Sequence, residues 1–400
     1  MSISFLHVVV SSSSWEQTKV KYRRHRLVEY LLQQDDTADI LWIYPLSATL
    51  RKPGSYVEAN KVLKNNLSVN SHGVKEWAFP DYLPGRIMQF KSSYRHPQYG
   101  KLKKYISGFK AKKILWYAYP ALPYLSSTIE WDRIVYDCSD LWTEPSGGYR
   151  SNTFSSMFAQ SLIESAENKI IKNSDVVFAS SDYLAERIEK IPGQKAFVIE
   201  NGVDSFYFNC ETTKKYSCFG EMPKPRLGYV GALQGKNDIA LLDETAAGNP
   251  DWSIVLVGPN CLNNNSCFSK MLTRKNVFWV GEVEPENLPG YIRSLDIGLL
   301  PYRNIEYNRA VFPIKFYEYL SQGIPMVGCG VPSTAKYVEK GVYIHVKREF
   351  FQEACKDALS WSAGGDPYVA KRIKIAQDAV WENKLAAMLG KVREGFYTPY

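Results

Sequence analysis

The chain has 400 residues, 45% of them apolar and 22% charged, which excludes a disordered or fibrous polypeptide and exceeds what one hydrophobic core usually organises, so two domains are expected. The net charge is +8, but residues 1–113 carry 19 Lys and Arg against 8 Asp and Glu, a basic N-terminal third that points to an anionic partner: a membrane surface, a lipid diphosphate or a nucleic acid. No run approaches the ~18 apolar residues of a membrane span. The seven cysteines, Cys138, Cys210, Cys218, Cys261, Cys267, Cys329 and Cys355, form no CxxC pair and read as reduced, mostly structural thiols of a cytoplasmic protein.

Ile3–Val10 reads as a buried strand, and no positive charge precedes it as one would in a signal peptide. Ser11–Trp15 is a loop with several hydroxyl and N–H donors. Tyr22–Leu32 is a helix with Leu27, Tyr30 and Leu31 as its core face, and Lys19, Lys21, Arg23, Arg24 and Arg26 cluster at its start. Asp39–Pro45 is the second strand. From Leu46 to Lys110 the signal weakens, with short apolar pieces such as Val74–Phe79.

Lys101–Lys113 reads as one basic amphipathic helix. Lys101, Lys103, Lys104, Lys110, Lys112 and Lys113 surround Leu102, Tyr105, Ile106 and Phe109, which fall at i, i+3, i+4 and i+7. Such a stripe either packs on its own domain or lies on an anionic membrane surface, so a peripheral position on the inner face of the cell membrane is one expectation.

From Lys113 strands and helices alternate: ILWYAYP, RIVYDCSD, a helix over Phe158–Ile171, DVVFASS, a helix over Tyr183–Ile188, and AFVIENGVD. Continuous apolar strands between amphipathic helices predict a parallel sheet covered on both faces. Phe206–Pro225 breaks the rhythm and reads as a linker. The alternation then restarts with RLGYVGAL, SIVLVGP, NVFWVGEV, DIGLLPY, IPMVGCGV and VYIHV. The expected organisation is an N-terminal domain over 1–205, a linker over 206–225, a second doubly wound α/β domain over 226–378, and a C-terminal helix, about Ala370–Glu394, whose end (379–400) returns to the first domain. Two such domains would face each other across a ligand cleft at the carboxyl ends of their strands.

Chemistry concentrates in Phe312–Val327, FPIKFYEYLSQGIPMV. Pro313 suits a first helical turn. Phe316, Tyr319 and Leu320 make an apolar face, Gly323 ends the helix, and Pro325 prevents its continuation. Lys315 and Glu318, three residues apart, are either a surface ion pair or a diphosphate site beside free helical N–H groups, with the carboxylate accepting from sugar or ribose hydroxyls. Gly231, Ala232 and Leu233 form a turn after a strand that admits a ligand close to the backbone. Gly281, Glu282 and Val283 follow another strand end, and Tyr302 ends the DIGLLPY strand. There is no GxGxxG and no GxxxxGK[ST], which argues against an NAD enzyme and a P-loop nucleotidase. In the first domain Asp137 and Asp140 sit at the end of the RIVYDCSD strand. Asp140, further out, suits a general base and Asp137 a structural role. Asn201-Gly202-Val203-Asp204 reads as a turn and hinge. Nothing resembling an RNA or DNA motif accompanies the basic N-terminal third.

The PxKxxEYLSxGxPxV pattern after DIGLLPY, with the upstream ENGVD, resembles the GT-B glycosyltransferases, and most closely the family-4-like bacterial cell-surface polysaccharide enzymes of the teichuronic acid type. The resemblance implies two Rossmann-like domains, a UDP- or GDP-sugar donor on the C-terminal domain, a glycan or lipid-linked acceptor on the N-terminal domain, and no metal cofactor. Carried over residue by residue, it implies that Lys315 meets the donor diphosphate and Glu318 the ribose or sugar. Leu233, Glu282, Val283, Tyr302 and Ile314 would surround the nucleotide. YDCSDLW resembles the segment with the catalytic Asp of the xanthan-type glucuronosyltransferase, which matches Asp140. Retaining members carry a first Glu in an E-x7-E pattern where this chain has Ala310, which favours an inverting displacement. A non-catalytic binding module of the same fold is the competing reading, and a nucleotide-sugar epimerase a third.

Overall fold

The computed structural model describes residues 3–17, 21–47, 67–81, 88–91, 95–96, 98–147, 153–208, 219–262, 265–361 and 365–396. The chain divides into two compact units: Met1–Thr143, Arg150–Ile199 and Leu385–Tyr400 in the first, Glu144–Tyr149 and Glu200–Lys384 in the second.

The first unit is built on strands β1 (Phe5–Val10), β2 (Thr37–Ser47), β3 (Leu67–Val69), β4 (Lys75–Asp81), β5 (Lys112–Tyr117), β6 (Arg133–Cys138), β7 (Val176–Ala179) and β8 (Phe197–Val198). Their order is β3-β4-β2-β1-β5-β6-β7-β8, and β3 alone of these strands runs antiparallel to its neighbour. Every residue of β1 is buried, as a central parallel strand covered on both faces requires. The strand order reverses between β1 and β5, which opens a crevice at their carboxyl ends. β6, carrying Asp137, is the next strand along.

The helix near the start of this unit spans Arg23–Leu32 and buries Leu27, Val28 and Leu31. It also buries Arg23 and His25, so the basic cluster at its start is not a uniformly solvated patch. Arg23 Nε donates to both oxygens of Asp137, at 3.0 and 2.8 Å, and Nη1 donates to the Ile199 carbonyl at 2.6 Å. An ion this deep persists only when its donors are met.

The single helix expected over Lys101–Lys113 is shorter and shifted. It runs from Gln98 to Ser107. Gly108 follows it, and Lys112 and Lys113 belong to β5. Leu102 and Ile106 are fully buried, and the Tyr105 ring packs on Trp77 and Phe109. The apolar stripe therefore packs on its own unit, with Leu102 and Ile106 buried and Tyr105 and Phe109 half-buried. Lys101, Lys103 and Lys104 remain exposed.

The second unit carries β9 (Arg226–Val230), β10 (Ser253–Val257), β11 (Val277–Gly281), β12 (Ile297–Pro301), β13 (Met326–Cys329) and β14 (Tyr343–His345), in the order β11-β10-β9-β12-β13-β14 with every pair parallel. Alternation along β10 sends Ile254 and Leu256 into one core and Val255 and Val257 into the other, the period-2 consequence of burying both faces. Here the order reverses between β9 and β12.

The long C-terminal helix expected over Ala370–Glu394 is two helices, Val369–Asp378 and Trp381–Arg393. The interruption has a visible cause. Val203 N–H donates to the Ala379 carbonyl at 3.1 Å, Trp381 N–H donates to the Val203 carbonyl at 3.0 Å, and Val203 and Val380 form a parallel bridge. Backbone groups used in that pairing are unavailable to a helical ladder. Gly202 allows the approach: a Cβ there would lie 2.9 Å from the Ala379 oxygen. No helix among the described residues is long and apolar enough to cross a membrane.

Candidate functional site

In the second unit the reversal of strand order places the end of β9, at Gly231, beside the end of β12, at Tyr302. Three adjacent strands, β9, β10 and β11, each end on a glycine with positive φ: Gly231 (154°), Gly258 (135°) and Gly281 (86°). They are linked in a row. Gly231 N–H donates to Val257 O and Gly258 N–H to Gly281 O, both at 2.7 Å. A Cβ on Gly258 would lie 2.3 Å from the Gly231 oxygen, so only glycine fits there. Sequence reasoning found Gly231 and Gly281 but missed Gly258. The signal was present in three strands that all end Val-Gly: YVG, LVG and WVG.

The helix of the FPIKFYEYLSQGIPMV stretch runs from Lys315 to Ser321 with Ile314 as its N-cap. Phe316, Tyr319 and Leu320 are fully buried. Gly323 takes φ +72° past its end, and its carbonyl accepts from the buried Arg372 at 2.6 Å. Lys315 and Glu318 form the expected i,i+3 ion pair, Nζ to Oε2 2.7 Å, but it is not a surface pair, since the two side chains are 21% and 9% exposed. Glu318 Oε2 has no aligned hydrogen-bond donor. The carboxylate is thus held between the Lys315 ammonium and the Tyr207 phenol.

The Gly231 turn and this helix meet. A Cβ built on Gly231 would lie 3.0 Å from Lys315 Cε and 3.2 Å from the Tyr229 hydroxyl. The Tyr229 hydroxyl donates to Ala232 O at 3.3 Å. Burial raises the Tyr229 phenol, while Asn237, Lys315 and Tyr302 pull it back. Tyr302 is 3% exposed, with Lys236 Nζ 6.0 Å over its ring. Tyr207, not singled out from sequence, stands against Glu318: burial and then that carboxylate push its phenol well above the ordinary range. Leu233 is buried, its N–H bonded to Pro259 O at 2.9 Å. Glu282 is exposed, and Val283 packs against the core beneath. The sequence-predicted residues thus fall in two groups, Gly231, Ala232, Tyr302, Lys315 and Glu318 at the strand reversal, and Gly281, Glu282 and Val283 two strands away, joined through Gly258. Ala310, at the end of the Glu306–Ala310 helix, is fully buried.

In the first unit Asp140 is half-buried, and its Oδ1 accepts from Leu141 N–H at 3.0 Å. Arg24 lies in its electrostatic neighbourhood; burial lowers the guanidinium's proton affinity, and Tyr22, Tyr119 and Asp140 raise it. Asp137, by contrast, is fully engaged with Arg23. Among the described residues no group of three or more His, Cys, Asp or Glu side chains is placed to hold a metal ion.

Comparison with known proteins places these features in context. The family model described as "Glycosyl transferases group 1" matches residues 224–360. The chain is 33% identical over 391 residues, 94% of each chain, to TuaH of Bacillus subtilis (strain 168), a protein named for teichuronic acid biosynthesis as a glycosyltransferase. Among solved structures, sucrose-phosphate synthase from Thermosynechococcus elongatus superposes with a TM-score of 0.71 at 13% identity, covering 98% of this chain and 99% of that one. HepE of Anabaena, solved in complex with UDP-glucose, gives 0.64 at 15% identity over 96% and 99%.

Proposed function

Because the chain belongs to the group 1 glycosyltransferases and has the GT-B fold, we propose that it moves a sugar from a UDP- or GDP-sugar to a glycan or lipid-linked acceptor during assembly of a bacterial cell-surface polysaccharide. The observation that carries the donor reading is the meeting of Lys315 with the Gly231 turn. An ammonium beside a half-buried glycine turn at a strand reversal suits a diphosphate, and the Glu318 carboxylate, one oxygen of which has no aligned donor, suits the hydroxyls of a ribose or sugar. The name of TuaH supports the polysaccharide setting, and the UDP-glucose complex of HepE supports a uridine donor.

The acceptor is held by the N-terminal unit, where Asp140 takes the proton of the attacking hydroxyl. The acceptor oxygen then bonds to the anomeric carbon as the bond to the diphosphate breaks, and the charge that develops on the diphosphate is met by Lys315. With Ala310 at the position of the first Glu, this is a direct displacement that inverts the anomeric centre and needs no metal. Thermal-shift and calorimetric titration with UDP-, GDP- and dTDP-sugars tests the reading. A shift with a UDP- or GDP-sugar, lost in Lys315→Ala, is expected; no response to any of them would overturn it.

A further inference from the structure

Glu200 begins the main segment of the second unit and is 5% exposed. Its Oε2 accepts from the Tyr317 hydroxyl at 2.6 Å and from the Tyr337 hydroxyl at 2.5 Å. Lys336 Nζ lies 2.6 Å from Oε1, and Lys384 Nζ lies 3.6 Å from Oε2 and 5.5 Å over the Tyr317 ring. Three distant parts of the chain therefore converge on one carboxylate. The next residue adds a further tie, as Asn201 Nδ2 donates to the Phe312 carbonyl at 2.8 Å.

Tyr317 lies between Lys315 and Glu318 in a helix of seven residues. At 3.6 residues per turn, two residues span about 200°, so Tyr317 leaves the helix on the side opposite Lys315, while Glu318 stands about 60° from Lys315. The Tyr317 ring is 1% exposed and packs 5.3 Å from both Phe312 and Phe316. Aromatic packing alone would bury this face, and apolar side chains would do it at least as stably as a desolvated carboxylate. What the carboxylate adds is direction: the short bond from the Tyr317 hydroxyl, with the Tyr337 hydroxyl bonded to the same oxygen, fixes the far end of Tyr317 and with it the rotation of the helix about its axis.

We propose that Glu200 is a positioning residue for the donor site. Through Tyr317 it sets the rotation at which Lys315 and Glu318 are presented, an inference that rests on the donor reading above. Loss of the carboxylate leaves two ammonium groups facing two phenols: the Tyr317–Tyr337 hydroxyl contact (2.7 Å) and the Val230 N–H bond to the Tyr319 hydroxyl remain, but the charged anchor on the Tyr317 side of the helix is gone.

The test titrates the full chain with UDP, and separately with GDP, by calorimetry at a temperature where every variant is folded, and follows hydrogen exchange of the 315–321 amides without nucleotide. Glu200→Gln and Tyr317→Phe are each expected to weaken nucleotide binding about tenfold, the loss of a hydrogen bond to a charged group, and to speed exchange in that helix. The double variant should be no worse than the weaker single one, since both break the same link. Should Glu200→Gln fail to fold, Tyr337→Phe removes one bond to the same oxygen and is expected to show a smaller effect of the same kind. Folded variants with a lower melting temperature but unchanged nucleotide Kd and unchanged exchange would overturn the proposal. A wild-type chain that binds neither UDP nor GDP would instead sink the donor reading, and the exchange measurement would still decide whether Glu200 fixes the helix.

Discussion

Gly231 leaves room for the side chain of Lys315: a methyl group at 231 would come within 3.0 Å of the lysine Cε. Gly231 also has φ +154°, which an L side chain tolerates poorly. Gly231→Ala should therefore act twice, straining the turn by about 1–3 kcal/mol and displacing the ammonium. Denaturant unfolding should report the first effect, and calorimetry a weaker nucleotide affinity as the second. Unchanged affinity would separate Lys315 from the donor.

Asp140→Asn keeps the size of the side chain and an oxygen for Leu141 N–H but removes the base. Transfer should fall by about 10²–10⁴-fold, the range of general base catalysis, while the Kd for nucleotide stays at the wild-type value. Full activity in this variant would remove Asp140 from the mechanism.

Arg23 and Asp137 are each under 5% exposed and joined by two hydrogen bonds. Asp137→Ala should cost about 3–5 kcal/mol, because it strands the guanidinium. The combined Arg23→Met, Asp137→Leu protein should recover much of that loss in urea unfolding. Equal losses in single and double variants would show that the pair is not what holds this part of the sheet.

His7 is fully buried in β1, with Trp116 Nε1 donating to its Nδ1 at 3.0 Å. Burial, then the nearby Arg393, lower its pKa from 6.5 to about 3. Between those values the unfolded chain binds a proton that the folded chain refuses. The contribution is thus fully present above pH 6.5 and is lost as pH falls through the window, at up to about 1.4 kcal/mol per pH unit. His25, lowered to about 4 for the same first reason, adds to the slope. His7→Gln keeps an acceptor for Trp116 and should flatten acid unfolding between pH 6.5 and 4. A slope unchanged by that substitution would show that other groups set it.

The strands were legible because a parallel strand buried on both faces needs an apolar stretch; ILWY in β5, IVY in β6, IVLV in β10 and IGLLP in β12 are such stretches. Relations between distant residues were not. Nothing near Arg23 announces that its partner is Asp137, 114 residues away, so it read as one more member of the basic cluster at a helix start. The stripe Leu102–Tyr105–Ile106–Phe109 was visible as a stripe, but which surface covers it depends on Trp77 and the rest of its unit. The break before Trp381 comes from pairing with Val203, which no local propensity encodes. Lys315 and Glu318 were readable as a pair; that Gly231 lies against the lysine, and Tyr207 against the glutamate, required the fold.

The Val203–Val380 pairing has a topological consequence. The first unit is left at Ile199 and resumed at Leu385, so most of the second unit is an insertion within the first. Its two ends are bonded to each other through the Val203–Val380 backbone pairing, with Glu200–Lys384 and Ser205–Glu382 side-chain contacts beside it. An insertion whose ends meet can lengthen or shorten its internal loops without altering the distance between its points of entry and exit. Diversification of the strand-end loops of the second unit can therefore proceed while the sheet of the first, and the strand that carries Asp140's segment, keeps its geometry.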